Sequence, residues 1–182
     1  MITRTVIRTE RLELIPATPA MVRCEGTNHP ELGRFLDAEI PDSWPPSLLD
    51  RETRDQFIAL LSGGTDCNFC SWYWITSGST RNERVLIGSG GTGSCTGATD
   101  AVMIGYSVLD EFQNRGYATE AVRHILPVIF SDPGIRRIVA ATYPELKASV
   151  RVLEKNGFVR VTSLSGNEGM EEGTLCFHLD RV

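Results

Sequence analysis

Long apolar runs are missing. No stretch approaches the ~20 residues that cross a bilayer, and the opening MITRTVIRTERLEL has no apolar signal core and no small-residue cleavage site. Neither export nor membrane anchoring is expected, which leaves a cytoplasmic location. Positive charge is in short supply too. Eighteen Lys and Arg stand against 23 Asp and Glu, for a net charge of −5. A chain of this sign has no general attraction for nucleic acid or anionic membranes, so neither is expected as a partner. One anionic ligand held by local donors remains compatible with it. Histidine is scarce: His29, His124 and His178 share no spacing that suggests a metal site or a catalytic pair. The five cysteines, Cys24, Cys67, Cys70, Cys95 and Cys176, are odd in number and read as reduced thiols. Cys67 and Cys70 form one CxxC without the second pair that a zinc site wants, so no metal is expected.

The chain does have enough apolar substance for a core. At 182 residues and 41% hydrophobic, it fits one domain spanning 1–182, a size that buries about 70% of its unfolded surface. Alternation in RLELIP predicts a strand at 11–16, and residues 18–36 read as two helical pieces broken near Gly26–Pro30. Pro41–Pro46 must be loop. A helix is expected over 50–62, with Asp50 as cap and Gly63–Gly64 as stop. Strands are expected at 69–76, 84–89, 101–109 and 137–142, and two more at about 158–164 and 173–180. Helices are expected at 117–131, bent or ended near Pro127, and at 147–156, stopped by Gly157. On the 69–76 strand, Trp72 and Trp74 share one face and Tyr73 takes the other, which reads as sheet core or as lining of a pocket. The class is mixed α+β with one sheet.

Gly88-Ser-Gly90-Gly-Thr-Gly93 matches GxGxxG, but no helix opens after it. A dinucleotide fingerprint needs that helix to face the pyrophosphate. The segment through Gly97 reads instead as a flexible hairpin loop, either a lid over a substrate or simply a long turn.

The informative segment is IGYSVLDEFQNRGYATEA, residues 104–121. A strand with an interior glycine runs into a polar loop, Gln113-Asn-Arg115-Gly116-Tyr-Ala118, which opens directly into a helix. Gly116 and Ala118 leave backbone N–H groups uncovered. They converge with first-turn N–H groups that lack intrahelical partners, and the helix dipole and Arg115 add positive charge. Such a loop can cradle a pyrophosphate with backbone alone; an ordinary strand-to-helix turn is the competing reading.

A second segment, ASVRVLEKNGF at 148–158, follows about thirty residues later. Together with the opening TERLEL, the two segments resemble the GNAT N-acetyltransferase superfamily, and within it the ribosomal-protein N-terminal acetyltransferase-like branch. The resemblance implies a single GNAT-like α+β domain whose central mixed, mostly antiparallel sheet is splayed in a V and flanked by helices. It implies acetyl-CoA as cosubstrate, bound in that V. Main-chain groups near Val108 and Leu109, freed by a bulge, would hold the pantetheine arm. Gln113, Asn114, Arg115, Gly116, Tyr117, Ala118 and Thr119 would wrap the pyrophosphate. Ser149 would lie beside the thioester sulfur, as proton donor to the leaving thiolate or as its positioner, with a plain helix-surface hydroxyl as the alternative. Trp44, in the Pro-rich loop, and Tyr106 are the candidates for the acceptor pocket. Transfer would be direct, without a covalent enzyme intermediate, to a primary amine such as a protein N-terminal α-amine or a small-molecule amine. Relatives occur as monomers or homodimers.

Three departures from the family pattern matter. The tyrosine acid expected four residues before the final Gly-Phe pair is Leu153, an asparagine expected three residues before the serine is Leu146, and a carboxylate base found in some relatives aligns with Ala141. A missing base favours weakly basic acceptors. Neutralising a lysine ε-amine of pKa ~10.4 at pH 7 costs about 4.6 kcal/mol, against about 1 to 1.4 kcal/mol for an α-amine of pKa ~7.7–8.0. A silent acyl-CoA-binding sensor and a different acyl donor, such as succinyl-CoA, stand as alternatives. Lys147, Arg151 and Lys155 share one helix face, which reads as solvated or as reaching a CoA phosphate.

Overall fold

The structure, a computed structural model, describes residues 5–46, 51–63, 68–95, 97–161 and 173–182. The caps expected at Asp50 and Gly64 lie outside these residues, as does Cys67. In chain order the elements are β1 (Ile7–Arg8), β2 (Leu12–Pro16), α1 (Pro19–Cys24), α2 (His29–Leu36), α3 (Arg51–Gly63), β3 (Cys70–Thr76), β4 (Leu86–Ser94), β5 (Ala101–Val108), α4 (Tyr117–Phe130), β6 (Arg137–Thr142), α5 (Lys147–Lys155), β7 (Val159–Val161) and β8 (Leu175–Asp180). All eight strands join one sheet in the order β1-β2-β3-β4-β5-β6-β8-β7. Every pairing is antiparallel except β5 with β6.

Strand alternation splits the core into two layers. Cys70, Trp72 and Trp74 point to one face of β3, where Ala121, Ile125 and Ile129 of α4 and Leu153 of α5 cover them. Tyr73 and Ile75 point to the other, under Met21 and Val22 of α1, Leu32 and Leu36 of α2 and Leu61 of α3. The sheet is thus sandwiched between two helical layers, which explains why CSWYWIT is apolar or aromatic throughout apart from the small Ser71 and Thr76.

Two expectations need correction. The glycine-rich segment is strand, not loop: β4 runs through Gly88, Gly90, Gly91 and Gly93 and pairs with β3 and β5 on both edges. A Cβ on Gly90 would stand 2.6 Å from a Trp74 ring carbon and 2.9 Å from Tyr106 Cβ, and one on Gly88 would stand 2.6 Å from the Ser107 carbonyl oxygen. Glycine is required because large rings lie across the strand, and pairing on both sides offsets its weak strand preference. The lid reading of this segment falls with the loop. The second concerns one of the two alternatives at Pro127: the expected helix at 117–131 is found at Tyr117–Phe130, so it does not end at the proline. Pro127 and Arg123, one turn before it, are both exposed, where water can serve the carbonyl that proline leaves without a helix partner.

Candidate active site

Between β5 and β6 the sheet opens. Their parallel pairing covers only Ala101–Met103 against Arg137–Val139, although β5 extends to Val108 and β6 to Thr142. From Ile104 onward β5 is paired on its β4 edge alone, in unbroken register to Val108. The bulge expected on β5 is therefore not there. The register irregularity lies between Trp74 and Ile75 of β3, opposite β4. Divergence of two strands, not a bulge, makes the V.

Main-chain direction follows from the register. Leu109 N–H donates to the Ile87 carbonyl at 2.9 Å, toward β4. By alternation, the peptide groups of Val108 and Tyr106 point the opposite way, into the gap. The Leu109 N–H is thus already committed, and its side chain is buried at 3% exposure in the α1–α3 layer. Only the Val108 half of the expected pantetheine pair faces the opening.

The loop after β5 sits at the mouth of that gap. Gln113 folds back, its Nε2 donating to the Val108 carbonyl at 3.0 Å and to Asp110 Oδ1 at 2.8 Å. Asn114 and Gly116 have φ of 60° and 83°, the left-handed conformation that turns a chain sharply into a helix. Gly116 caps α4, with no side chain capping the helix, so the first-turn N–H groups at Tyr117, Ala118 and Thr119 stay open. Arg115 is exposed and lays its guanidinium over the Phe112 ring at 5.5 Å.

Tyr106 and Ser149 meet across the same opening, on the α4–α5 face. The Tyr106 hydroxyl lies 3.2 Å from Ser149 Oγ and 3.3 Å from the Ser149 carbonyl oxygen, to which it donates. Its ring stacks on Trp74 with centroids 6.3 Å apart and planes at 25°. Burial pushes the Tyr106 phenol up to about 12, against a smaller lowering by the Ser149 hydrogen bond. Tyr106 is thus a neutral hydroxyl at any physiological pH. Position 153 offers nothing similar: Leu153 is 1% exposed in the core.

On the opposite face of the sheet, Gly105 and Ala141 are exposed, and a Cβ on Gly105 would meet nothing within 4 Å. Trp44 does not line this open surface. It is 3% exposed and packs its ring 6.0 Å from that of Tyr73, in the α1–α3 core. Its loop is tied to the segment after β5 by a 2.5 Å hydrogen bond from Ser43 Oγ to Glu111 Oε1. Lys147 and Arg151 turn instead to a cavity of about 400 Å³ that they share with Arg160 and Leu175, on the flank of α5 away from Ser149. Of the histidines, His124 places Nδ1 2.9 Å from the Glu120 carbonyl and His29 places Nε2 3.1 Å from that of Glu25, both one turn back along their own chain. No group of His, Cys, Asp or Glu able to hold a metal occurs among the described residues.

Two residues of this region escaped the sequence reading. Glu120, in the first turn of α4, is 9% exposed and accepts from Thr9 Oγ1 at 2.6 Å, Arg11 N at 2.8 Å and Arg11 Nε at 2.7 Å. Burial works against its ionisation, but these bonds and the Arg11 charge together hold its carboxyl below the ordinary value. Partners 109 positions apart leave no spacing signal; only the presence of Arg11 in TERLEL and Glu120 in YATEA hinted at them.

The profile of the acetyltransferase (GNAT) domain family matches residues 11–159. Two Bacillus subtilis proteins are similar over shorter stretches. The uncharacterized N-acetyltransferase YnaD is 36% identical over 38% of this chain and 44% of its own length. The probable N-acetyltransferase YjcK is 39% identical over 34% of each. The chain thus spans less than half the length of these relatives. Solved structures share the fold across the whole chain. The ribosomal L7/L12 alpha-N-protein acetyltransferase RimL in complex with coenzyme A gives a TM-score of 0.65 at 19% identity, covering 97% of this chain and 98% of that one. An aminoglycoside acetyltransferase in complex with coenzyme A gives 0.61 at 17% identity, covering 93% and 95%. A strand pair that parts in mid-sheet, a glycine-capped helix at its mouth and a family profile covering residues 11–159 agree: the chain belongs to the GNAT acetyltransferase family.

Proposed function

We propose that residues 1–182 form one acetyl-CoA-dependent N-acetyltransferase domain. The observation that carries this reading is the β5–β6 gap: Val108 and Tyr106 turn main-chain groups into it, and the Gln113–Thr119 loop stands at its mouth. A pantetheine arm is a strand-like chain with two amides. It takes the place beside β5 that β6 leaves where the two strands part, while open N–H groups at the start of α4 receive the diphosphate.

The acceptor amine approaches from the opposite face, over Gly105 and Ala141. Its lone pair attacks the thioester carbonyl carbon, the C–S bond breaks, the amine gives up a proton and the thiolate takes one. Ser149 Oγ, one hydrogen bond from Tyr106, is the hydroxyl placed to supply or steady the thiolate proton. With Ala141 where a carboxylate base would stand, the amine must arrive close to neutral, which favours a protein N-terminal α-amine over a lysine side chain. The name of RimL, a protein of the same fold, describes an alpha-N-protein acetyltransferase, which supports this acceptor class.

The test is release of free CoA thiol from acetyl-CoA across protein N-terminal peptides, amino acids, polyamines and aminoglycosides. Turnover with an α-amine, faster at pH 7 than with any lysine side chain, is the expected result. Faster lysine acetylation refutes the acceptor class. Tight CoA binding with no turnover on any amine refutes catalysis and leaves a sensor, the reading that the buried Leu153 favours.

A further inference from the structure

A positive charge beside the loop at the mouth of the gap comes from more than a hundred positions earlier in the chain. Arg11, at the turn between β1 and β2, reaches across to the Gly116 loop and is held there on several sides. Its Nε donates to Glu120 Oε2 at 2.7 Å and its Nη1 donates to the Arg115 carbonyl at 3.0 Å. Its guanidinium carbon sits 4.6 Å above the Tyr117 ring centroid. Its Nη2 lies so close to Gly116 that a Cβ there would be 3.4 Å away. A guanidinium has five N–H donors in a planar fork; Nη2 has no hydrogen-bond acceptor among the described residues, and the side chain is 47% exposed.

Charge balance points the same way. Glu120 is a carboxylate in the first turn of the helix that faces the loop. Alone it would repel a diphosphate at that helix end. Both of its oxygens are instead consumed by Thr9 and Arg11. Arg115 lays its guanidinium over Phe112 and gives its carbonyl to Arg11 Nη1.

The geometry points to Arg11, braced by Glu120, as the cation that binds the diphosphate of acetyl-CoA, its Nη2 donating beside the backbone N–H groups of the Gly116 loop. The inference rests on the acetyl-CoA reading given above. It makes the N-terminal hairpin part of the cofactor site. Glu120 is a positioning residue: it fixes the guanidinium plane, which a lone flexible arginine would have to order on binding.

The experiment compares acetyl-CoA with S-acetylpantetheine, which lacks the diphosphate and the 3′-phosphoadenosine, and with 3′-dephospho-acetyl-CoA, which keeps the diphosphate. The last should respond to each variant as acetyl-CoA does; a loss confined to acetyl-CoA would place Arg11 on the 3′-phosphate and overturn the assignment. Binding of CoA to the wild-type protein is measured first by calorimetry, and its absence overturns the cofactor reading itself, and this inference with it. With binding established, Arg11→Gln should lower kcat/KM for acetyl-CoA at least tenfold through KM, with kcat and S-acetylpantetheine turnover nearly unchanged. Arg11→Lys, which keeps charge but not the fork, should fall between. Glu120→Gln should weaken acetyl-CoA less than Arg11→Gln, and add little to it in the double variant. Equal losses with acetyl-CoA and S-acetylpantetheine would show a purely structural role and overturn the assignment, as would an unaltered KM for acetyl-CoA. Thermal melts of each variant accompany the kinetics. Should Arg11→Gln not fold, the Arg11→Lys donor comparison decides on the same criterion.

Discussion

Tyr106→Phe distinguishes two chemistries for the proton that the leaving thiolate needs. The phenol is 3.2 Å from Ser149 Oγ and is pushed up to about 12 by burial. A thiol near pKa ~8.5 lies about 3.5 units below that, so proton transfer from Tyr106 to the thiolate would run uphill by about 4.8 kcal/mol. Tyr106 is therefore too weak an acid for the role and acts as a fixed donor. Its single O–H has two acceptors on Ser149, the carbonyl oxygen at 3.3 Å and Oγ at 3.2 Å; when it turns to Oγ, the Ser149 proton is free to point into the gap, toward the sulfur. Removing one long, neutral hydrogen bond costs ~0.5–1.5 kcal/mol, which is about a 2- to 13-fold loss in kcat at ~1.36 kcal/mol per tenfold. Steady-state kinetics on Tyr106→Phe, with KM for acetyl-CoA held constant, measures it. The profile of kcat between pH 6 and 10 should keep its shape, because nothing at Tyr106 titrates in that range. In Ser149→Ala, adding Tyr106→Phe should cost little more, since the two hydroxyls act as a unit. A loss of 100-fold or more, the scale of general acid catalysis, or loss of a basic limb from the profile, would refute the orienting role and make Tyr106 the acid.

Glu120 makes stability depend on acid in a defined direction. Its folded carboxyl is held below the ordinary 4.5, so its contribution is present above pH 4.5 and is lost as pH falls through the lower folded value. Urea midpoints at pH 7 and 3.5 should fall less on acidification in Glu120→Gln than in the wild type; an equal fall refutes the linkage. Two glycines of the sheet should separate packing from function. Gly90→Ala forces a Cβ to 2.6 Å from Trp74 and should lower stability by ~1–3 kcal/mol. Gly105→Ala meets nothing within 4 Å; it should leave the melting temperature alone and raise KM for the acceptor, and a melting shift as large as that of Gly90→Ala would contradict the open face. Gly116→Glu places a charged side chain at φ 83° in the loop and should abolish acetyl-CoA binding by calorimetry; unchanged affinity would refute the loop assignment.

Most of the fold was legible because its signals are local. Periodicity located β2, β3, β6 and α5 within one or two residues, and the two motifs fixed the strand–loop–helix unit at the site. The failures share a cause: each depended on a neighbour that sequence order does not reveal. Gly88–Gly93 looked flexible because glycine usually is; Trp74, on the next strand, makes glycine obligatory and the segment rigid. Pro127 left a bend or an end open because nothing local told that its face is solvent. Trp44, in a proline-rich loop, looked like an acceptor-pocket residue, but it packs against Tyr73 in the core. The site divides in the same way. Gln113 through Thr119 is one contiguous run, so its backbone chemistry could be read directly from its spacing. Side chains that complete that chemistry come from elsewhere, Ser149 opposite Tyr106 and Arg11 opposite Glu120, and only the sheet order brings them together. The sequence reading gave the loop's positive charge to Arg115 because it lies within the motif. In space that side chain rests on Phe112 while Arg11, more than a hundred positions earlier, occupies the place beside Gly116. For a site built on backbone N–H groups, the motif marks where a ligand is held, and the side chains that tune it come from whichever strand the fold sets alongside.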